Sequence, residues 1–344
     1  MTTIYDIAKA LSITPSTVSR ALSDHPHISA RTKARVKAKA AQLGYRPNGI
    51  AAALRRGKTF IIGVMVPTTD RSFFSSVIRG IEGVASKAGF NVLITQSNDS
   101  TAVEAANIDT LLKTQVDGII ASIAKETTDF EHFRKINAQN RPLVLFDRVK
   151  ENLGASTVVI DDYLGGYYAT EHLIQQGYQR IAHLSGAQHI NIYKYRHRGY
   201  QEALSTHGIP YDPSLVLESN HLEIQDGRAG MEQLLQLHPL PDAIFAASDF
   251  AAVGAMQLAK EKGLRIPQDL GIVGFANEPF TDLVEPRMST VEQHSAQMGE
   301  LAAETLLANI QKQEPDLVPK KLVLTPSLIT RASSVRPNFN IDRI

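Results

Sequence analysis

The sequence predicts an all-α head, a short hinge helix and an α/β body made of two doubly wound lobes, each a parallel sheet with helices on both faces. Three observations carry this reading. Residues 3–43 hold only short amphipathic helical patterns separated by cap and stop signals. From Phe60 onward, apolar strand runs alternate with amphipathic helices, which is the pattern of parallel βα units. The alternation runs through two successive series, and a chain of 344 residues has room for a small head and two lobes.

In the head, Ile4, Ile7, Ala8 and Leu11 recur at i, i+3, i+4 and i+7, one face of a first helix. Ser12-Ile13-Thr14 breaks the pattern. Thr14 then caps a second helix, and Pro15 suits its first position because a missing N–H costs nothing there. Val18, Ala21 and Leu22 form a small apolar face, leaving Ser16, Thr17, Ser19 and Arg20 polar and outward. Two short helices joined by a tight turn, the second displaying hydrogen-bonding groups, describe a helix-turn-helix reader of duplex DNA. Ser29 caps a third helix over 30–43, closed by Gly44 and buried along Val36, Ala40 and Leu43. Pro47 stops its continuation, and Asn48 caps a run over 49–56 that ends at Gly57. So short a helix does not hold in water unaided and is expected to fold against a partner. Leu54, set between alanines and two arginines, has no core to enter and suits a wedge between base steps.

The first series in the body places strands at 60–66, 90–96, 116–122 and 143–146, with helices near 74–88, 103–114 and 129–139 between them. The second places strands at 158–160, 181–184, 215–217, 243–247 and 271–275, with helices near 164–176, 198–207, 226–237 and 251–262. A last helix near 295–311 precedes a strand at 321–325. The expected division is a head at 1–46, a hinge at 47–58 and a body at 59–344. Within the body, lobe 1 takes 59–160 and 293–318, and lobe 2 takes 161–292 and 319–333. Ligands in such sheets bind beyond the carboxyl ends of the strands, so the site is expected in the cleft between lobes.

Composition narrows the function classes. Residues 1–58 carry eleven Lys and Arg against two Asp, a net of +9, while the whole chain carries +1 and the remainder therefore −8. A basic head on an acidic body suits a polyanionic partner. With no cysteine there is no disulfide frame, no thiol nucleophile and no Cys-ligated zinc. No apolar run is long enough to span a membrane, and the N-terminus has no signal-peptide pattern, so a cytoplasmic location is expected. Gly57-Lys58-Thr59 is not a phosphate loop, because position 52 is Ala52 where the motif needs glycine. The sequence has no G-x-G-x-x-G fingerprint, G-x-S-x-G elbow or H-E-x-x-H pair. Its eleven histidines lack metal spacing. Neither an enzyme, nor a metal protein, nor a cofactor protein is expected.

Taken in register, these features resemble the lactose/galactose-repressor (LacI/GalR) family of bacterial transcription regulators over essentially the whole chain. The most specific match is Thr17-Val18-Ser19-Arg20 preceded by Ile4-Tyr5-Asp6-Ile7-Ala8, joined by Tyr45-Arg46-Pro47-Asn48 and Leu54. In the body it rests on Phe146-Asp147-Arg148, Asp161-Asp162-Tyr163, Arg196-x-x-Gly199-Tyr200, Ala247-Ser248-Asp249, Gly274-Phe275 and Thr290-Val291-x-Gln293. The resemblance implies a periplasmic-binding-protein-like body and DNA contacts from Thr3, Tyr5, Pro15, Ser16, Thr17, Ser19, Arg20, Tyr45, Arg46, Asn48, Ala51, Leu54 and Arg55. Pro15, Ser16 and Arg20 match its base-reading positions and Leu54 its minor-groove wedge. Pro15 replaces a larger polar residue, which shifts discrimination towards Arg20. The usual glycine of the first turn is replaced by Ser12 or Leu11, depending on alignment.

For the cleft, the resemblance implies a small carbohydrate effector held by Phe73, Phe74, Asp147, Arg196, Leu222, Ser248, Asn277 and Gln293. Carboxylate, guanidinium and amides address ring hydroxyls while an aromatic face packs on the apolar side of the ring. Phe73 or Phe74 stands open between ligand face and core, and Asp147 and Arg196 between ligand contacts and a structural pair with each other. The implied assembly is a homodimer on a near-palindromic operator, with lobe rotation coupling effector to DNA. The tail, 331–344, lacks the leucine heptads of a tetramerising coiled coil. The alternative is a transport-type solute-binding protein, which has no use for the basic head.

Overall fold

A computed structural model describes residues 2–45, 58–312 and 318–336. The chain forms two compact units, Met1–Thr59 and Phe60–Ile344. The hinge helix expected over 49–56, and with it Arg46, Asn48, Ala51, Leu54 and Arg55, lies outside the described residues.

Among the described residues the head has three helices, α1 (Ile4–Leu11), α2 (Pro15–Leu22) and α3 (Ala30–Gln42). Each begins at a hydroxyl cap. Thr3, Thr14 and Ser29 accept from the backbone N–H of Asp6, Thr17 and Thr32, and Asp6 returns a bond to the Thr3 N–H at 2.8 Å. Ser12 occupies the left-handed turn position after α1, with φ at 51°, so Ser12 rather than Leu11 replaces the turn glycine. Ile7, Ala8, Val18, Ala21, Val36 and Ala40 close the core, with Ile4, Leu11, Leu43 and Tyr45 packed at its margin.

The body holds two six-stranded sheets. In chain order its elements are β1 (Ile61–Val66), α4 (Ser72–Lys87), β2 (Asn91–Gln96), α5 (Thr101–Lys113), β3 (Gly118–Ala121), α6 (Glu131–Ala138), β4 (Leu143–Phe146) and β5 (Ser156–Ile160). There follow α7 (Asp162–Gln175), β6 (Ile181–Gly186), α8 (Asn191–Thr206), β7 (Val216–Ser219), α9 (Ile224–Leu234), β8 (Ala243–Ala246), α10 (Asp249–Glu261) and β9 (Gly271–Phe275). The last are β10 (Ser289–Glu292), α11 (Ser295–Lys312), β11 (Lys321–Leu324) and β12 (Ser327–Ile329). Lobe 1 orders its strands β11-β5-β4-β3-β1-β2 and lobe 2 β12-β10-β9-β8-β6-β7. Among the described residues every pairing is parallel except β12 on β10.

Sequence order places the strand at 321–325 in lobe 2 with 319–333, but Lys321–Leu324 pairs against Thr157–Ile160 and so extends the lobe 1 sheet. Alternating half-exposed residues make it an edge strand, a role sequence order alone does not assign to a sheet. Helix α8 begins at Asn191 rather than Arg198, because Ile192 and Tyr193 bury into the lobe 2 core and override a weak helical pattern. Strands β10 and β12 add to those expected from the sequence. They are four and three residues long, too short to show a period.

The chain crosses between lobes after β5, after β10 and between β11 and β12. Those crossings set the floor of the cleft.

Candidate functional site

On the head, the outward face of α2 carries the residues expected to read bases. Ser16 and Arg20 are exposed, and Pro15, Thr17 and Ser19 are half-buried. The Thr14 hydroxyl bonds both Ser16 Oγ, at 2.8 Å, and Thr17 Oγ1, at 2.9 Å, ordering the first turn of the helix. Tyr5 is 68% exposed on α1, a large ring left in solvent beside a capped helix start. Thr3 caps that helix, and Tyr45 is half-buried against the head's core. No acidic side chain lies on α2.

In the body, loops at the carboxyl ends of the strands line a half-open cleft of about 400 Å³. Phe73 and Phe74 on α4 and Asp147 after β4 line it from lobe 1. Arg196 on α8, Leu222 before α9 and Ser248 after β8 line it from lobe 2, with Gln293 at a crossing. Both phenylalanines are at once core and lining: they are buried, pack edge-on to each other at 5.0 Å and face the cavity. Asn277 is not brought in. Its amide nitrogen donates to Glu292 at 2.7 Å and its oxygen accepts from Arg331 at 3.1 Å, so the side chain is spent behind the cleft wall.

Arg196 is the most heavily engaged group. Its Nε donates to Asp162 Oδ1 at 2.8 Å, Nη1 to the Ala247 carbonyl at 2.9 Å and Nη2 to Gln293 Oε1 at 3.2 Å. The guanidinium lies over the Phe275 ring, 3.6 Å from its centroid. Its ion-pair partner is therefore Asp162, not Asp147. Because Asp162 and Gln293 stand at two lobe crossings, one buried side chain ties the cleft to its hinges. Burial raises the Asp162 carboxyl to about 7 against the pull of Arg196.

Asp147 is buried with φ at 58°, a left-handed backbone that aspartate tolerates better than most residues. Asn191 holds that turn: its amide donates to the Asp147 carbonyl and its oxygen accepts the Val149 N–H, each at 3.1 Å. Burial pushes the Asp147 carboxyl above its ordinary range, opposed by Arg148, whose Nε is 3.9 Å away. The Arg148 guanidinium bonds Asp99 instead. Burial disfavours ionised Asp99, but Arg148 and Lys125 outweigh it and hold the carboxyl below the usual range.

Sequence reasoning missed the groups that bridge the lobes at the mouth. Arg71, at the start of α4, pairs with Glu223 and lies over the Phe250 ring, 3.7 Å from its centroid. Ser72 Oγ donates to Glu278 Oε2 at 2.6 Å, and Lys125 Nζ to the His221 carbonyl at 3.1 Å. Behind Ser248, buried Asp249 accepts from the Glu278 N–H at 2.8 Å and from Thr290 Oγ1 at 2.6 Å, bracing the loop after β9. Burial raises its carboxyl to about 7. Asp249 lies in the Ala247-Ser248-Asp249 motif, whereas Arg71 and Glu223 lie 152 positions apart and share no sequence signal. Among the described residues no group of three His, Cys, Asp or Glu could hold a metal ion, and no helix is long and apolar enough to cross a membrane.

Such a site binds and orients; the cleft presents paired hydrogen-bonding groups and aromatic walls. A helix-turn-helix head followed by a two-lobed body with a ligand cleft defines a class of ligand-responsive DNA-binding proteins. Residues 3–48 match the model described as "Bacterial regulatory proteins, lacI family", and residues 59–325 match "Periplasmic binding proteins and sugar binding domain of LacI family". The chain belongs to the LacI family of bacterial DNA-binding transcription regulators. It is 33% identical over 335 residues to the ribose operon repressor of Haemophilus influenzae, covering 97% of this chain and 98% of that protein. Among solved structures it is similar to the lac repressor dimer bound to operator and the anti-inducer ONPF, with TM-score 0.84 and 25% identity over 97% of this chain and 99% of that one. It is also similar to a complex of the transcriptional regulator CelR with cellobiose, with TM-score 0.73 and 28% identity over 97% of this chain and 100% of that one.

Proposed function

We propose that this regulator is a cytoplasmic homodimeric repressor whose affinity for a near-palindromic operator is set by a carbohydrate bound in the cleft of the body. The observation that carries the reading is one chain holding both an exposed, acid-free α2 face and a polar cavity whose central arginine bonds to two lobe crossings. In this reading Pro15, Ser16 and Arg20 face base edges in the major groove, while Thr3, Tyr5, Thr17, Ser19 and Tyr45 address the backbone. Arg46, Asn48, Ala51, Leu54 and Arg55 continue the contact from the hinge, with Leu54 as the minor-groove wedge. Phe73, Phe74, Asp147, Arg196, Leu222, Ser248 and Gln293 hold the sugar; Asn277 supports the wall. Closure of the lobes over the sugar shifts Asp162 and Gln293 through Arg196 and so alters the positions from which two heads approach DNA.

The test is selection of duplexes from a random pool by the full chain. The reading requires enrichment of a two-fold-related pair of half-sites, as protein symmetry demands. Recovery of unenriched sequence, in the presence and absence of carbohydrate, would remove it.

A further inference from the structure

A second recess opens at the seam between the lobes, separate from the cleft, and its lining is basic although the chain beyond residue 58 carries a net of −8. We propose that this recess is an anion site for the phosphate group of a small molecule, either a phosphomonoester or free orthophosphate.

Both lobes build it. Lobe 1 supplies the loop after β3, 123–130, and the turn after β4, 148–150, and lobe 2 supplies His189, Ile190 and Asn191 at the start of α8. Among the described residues Lys125, Arg148, Lys150 and His189 line the recess and no Asp or Glu does. Lys125 and Arg148 also line the cleft, so they form the partition between the two spaces. Their carboxylate neighbours, Asp99 and Asp147, line the cleft alone. Asp99 serves both cations at once, and burial pushes Asp147 towards its neutral form. Two cations sharing one ionised acid leave the partition positive on the side that has no carboxylate.

The other groups add to that field. Arg148 is 7% exposed, and its Nε has no hydrogen-bond partner among the described residues. Lys150 lies over the Phe130 ring, 5.4 Å from its centroid. His189 Nε2 donates to the Lys125 carbonyl at 3.0 Å, which sets the imidazole across the seam. Helix α8 starts there with no side-chain cap and no acid in its first turn. Asn191 does not cap it because its amide is spent on the turn after β4. The orphan N–H groups and positive end of a sixteen-residue helix therefore lie at the recess. Donors from three chain segments, rather than one planar fork, suit the several oxygens of a tetrahedral dianion. Phe130, Ile123 and Ile190 leave an apolar side for the rest of an organic phosphate.

Calorimetric titration of the full chain at constant ionic strength tests this with orthophosphate, glycerol 3-phosphate, phenyl phosphate and acetate. At least one phosphate compound is expected to bind saturably with Kd below about 1 mM, and at least about tenfold more tightly than acetate. Lys150→Gln on lobe 1 and His189→Gln on lobe 2 should each weaken it roughly 3- to 10-fold, the loss of one contact. Neither residue lines the cleft, so these losses assign the phosphate to the recess. Lys113→Gln, an exposed lysine at the end of α5, removes the same charge elsewhere and should keep full affinity. A phosphomonoester that outbinds orthophosphate identifies an organic phosphate as the occupant, and the reverse order identifies free phosphate. Absence of saturable phosphate binding, equal binding of acetate, unmoved affinity in either recess variant or an equal loss in Lys113→Gln overturns the inference.

Discussion

Asp147 and Asp162 are both buried beside arginines, yet their roles separate on hydrogen-bonding grounds. Asp162 is bonded at 2.8 Å to Arg196, so Asp162→Ala strands a buried guanidinium and is expected to cost about 3–5 kcal/mol in urea unfolding. Asp147 is 3.9 Å from Arg148, whose own hydrogen bond goes to Asp99. Asp147→Asn keeps the shape of the side chain and removes a charge that burial disfavours. It is therefore expected to leave stability unchanged or raised while lowering carbohydrate affinity at least about tenfold, the loss of a hydrogen bond to a charged group. A destabilised variant with unchanged affinity would exchange the two assignments. His183 gives a pH signature. Stacked on Phe245 at 4.7 Å, with Nδ1 against the Phe245 carbonyl, it is pulled by burial down to about 3 from 6.5. The unfolded chain takes up this proton below about pH 6.5 and the folded chain does not until about 3, so the stability it contributes is lost as pH falls through that window. The slope is at most about 1.4 kcal/mol per pH unit, and His183→Phe should flatten it in melts at pH 7 and pH 4.5. On the head, Arg20→Ala should weaken cognate duplex by about 1–3 kcal/mol and leave carbohydrate binding intact. Equal loss on random duplex would contradict base reading.

The pairing of α7 with α8 positions Arg196 and depends on two glycines. A Cβ on Gly166 would lie 2.2 Å from the Arg196 carbonyl oxygen, and one on Gly199 would lie 2.0 Å from that of Tyr163. Gly166→Ala must part the helices, costing about 1–3 kcal/mol and drawing Arg196 from Gln293; a lowered melting temperature with weakened carbohydrate binding is expected. At this scale the sequence was most readable where burial is uniform. Residues 62–66, 118–121 and 271–275 are continuous runs buried on both sheet faces, and they make up nearly all of β1 and the whole of β3 and β9. It was least readable where tertiary pairing decides the outcome, as for the sheet that β11 joins, for β10 and β12, and for the first two turns of α8. The site shows the same division. Asp147, Arg196, Ser248 and Gln293 follow strand ends or sit in a recognisable motif, and the cavity gathers them. Asn277 lies two residues beyond the end of β9, where an irregular turn with φ at 51° sends its amide to Glu292 and Arg331. Arg71 and Glu223 meet only because the lobes face each other.

Charge divides the molecule as function requires, with the excess of Lys and Arg confined to residues 1–58 and a net of −8 on the remainder. Affinity for operator should consequently fall with salt at a log–log slope on the order of −5 or steeper, whereas binding of a neutral sugar in the body should not follow it. Sedimentation of the free protein should give twice the 37.7 kDa of one chain, and a monomer would remove the two-fold match to a palindromic operator. The most direct test of the central claim is the affinity of the full chain for its selected operator, measured by fluorescence anisotropy with and without a saturating carbohydrate that stabilises the body. Coupling of about 1–3 kcal/mol, a shift of roughly 5- to 150-fold, is expected, and the sugar concentration that produces half of it should rise at least about tenfold in Asp147→Asn. Identical operator affinity with and without bound carbohydrate would contradict the account.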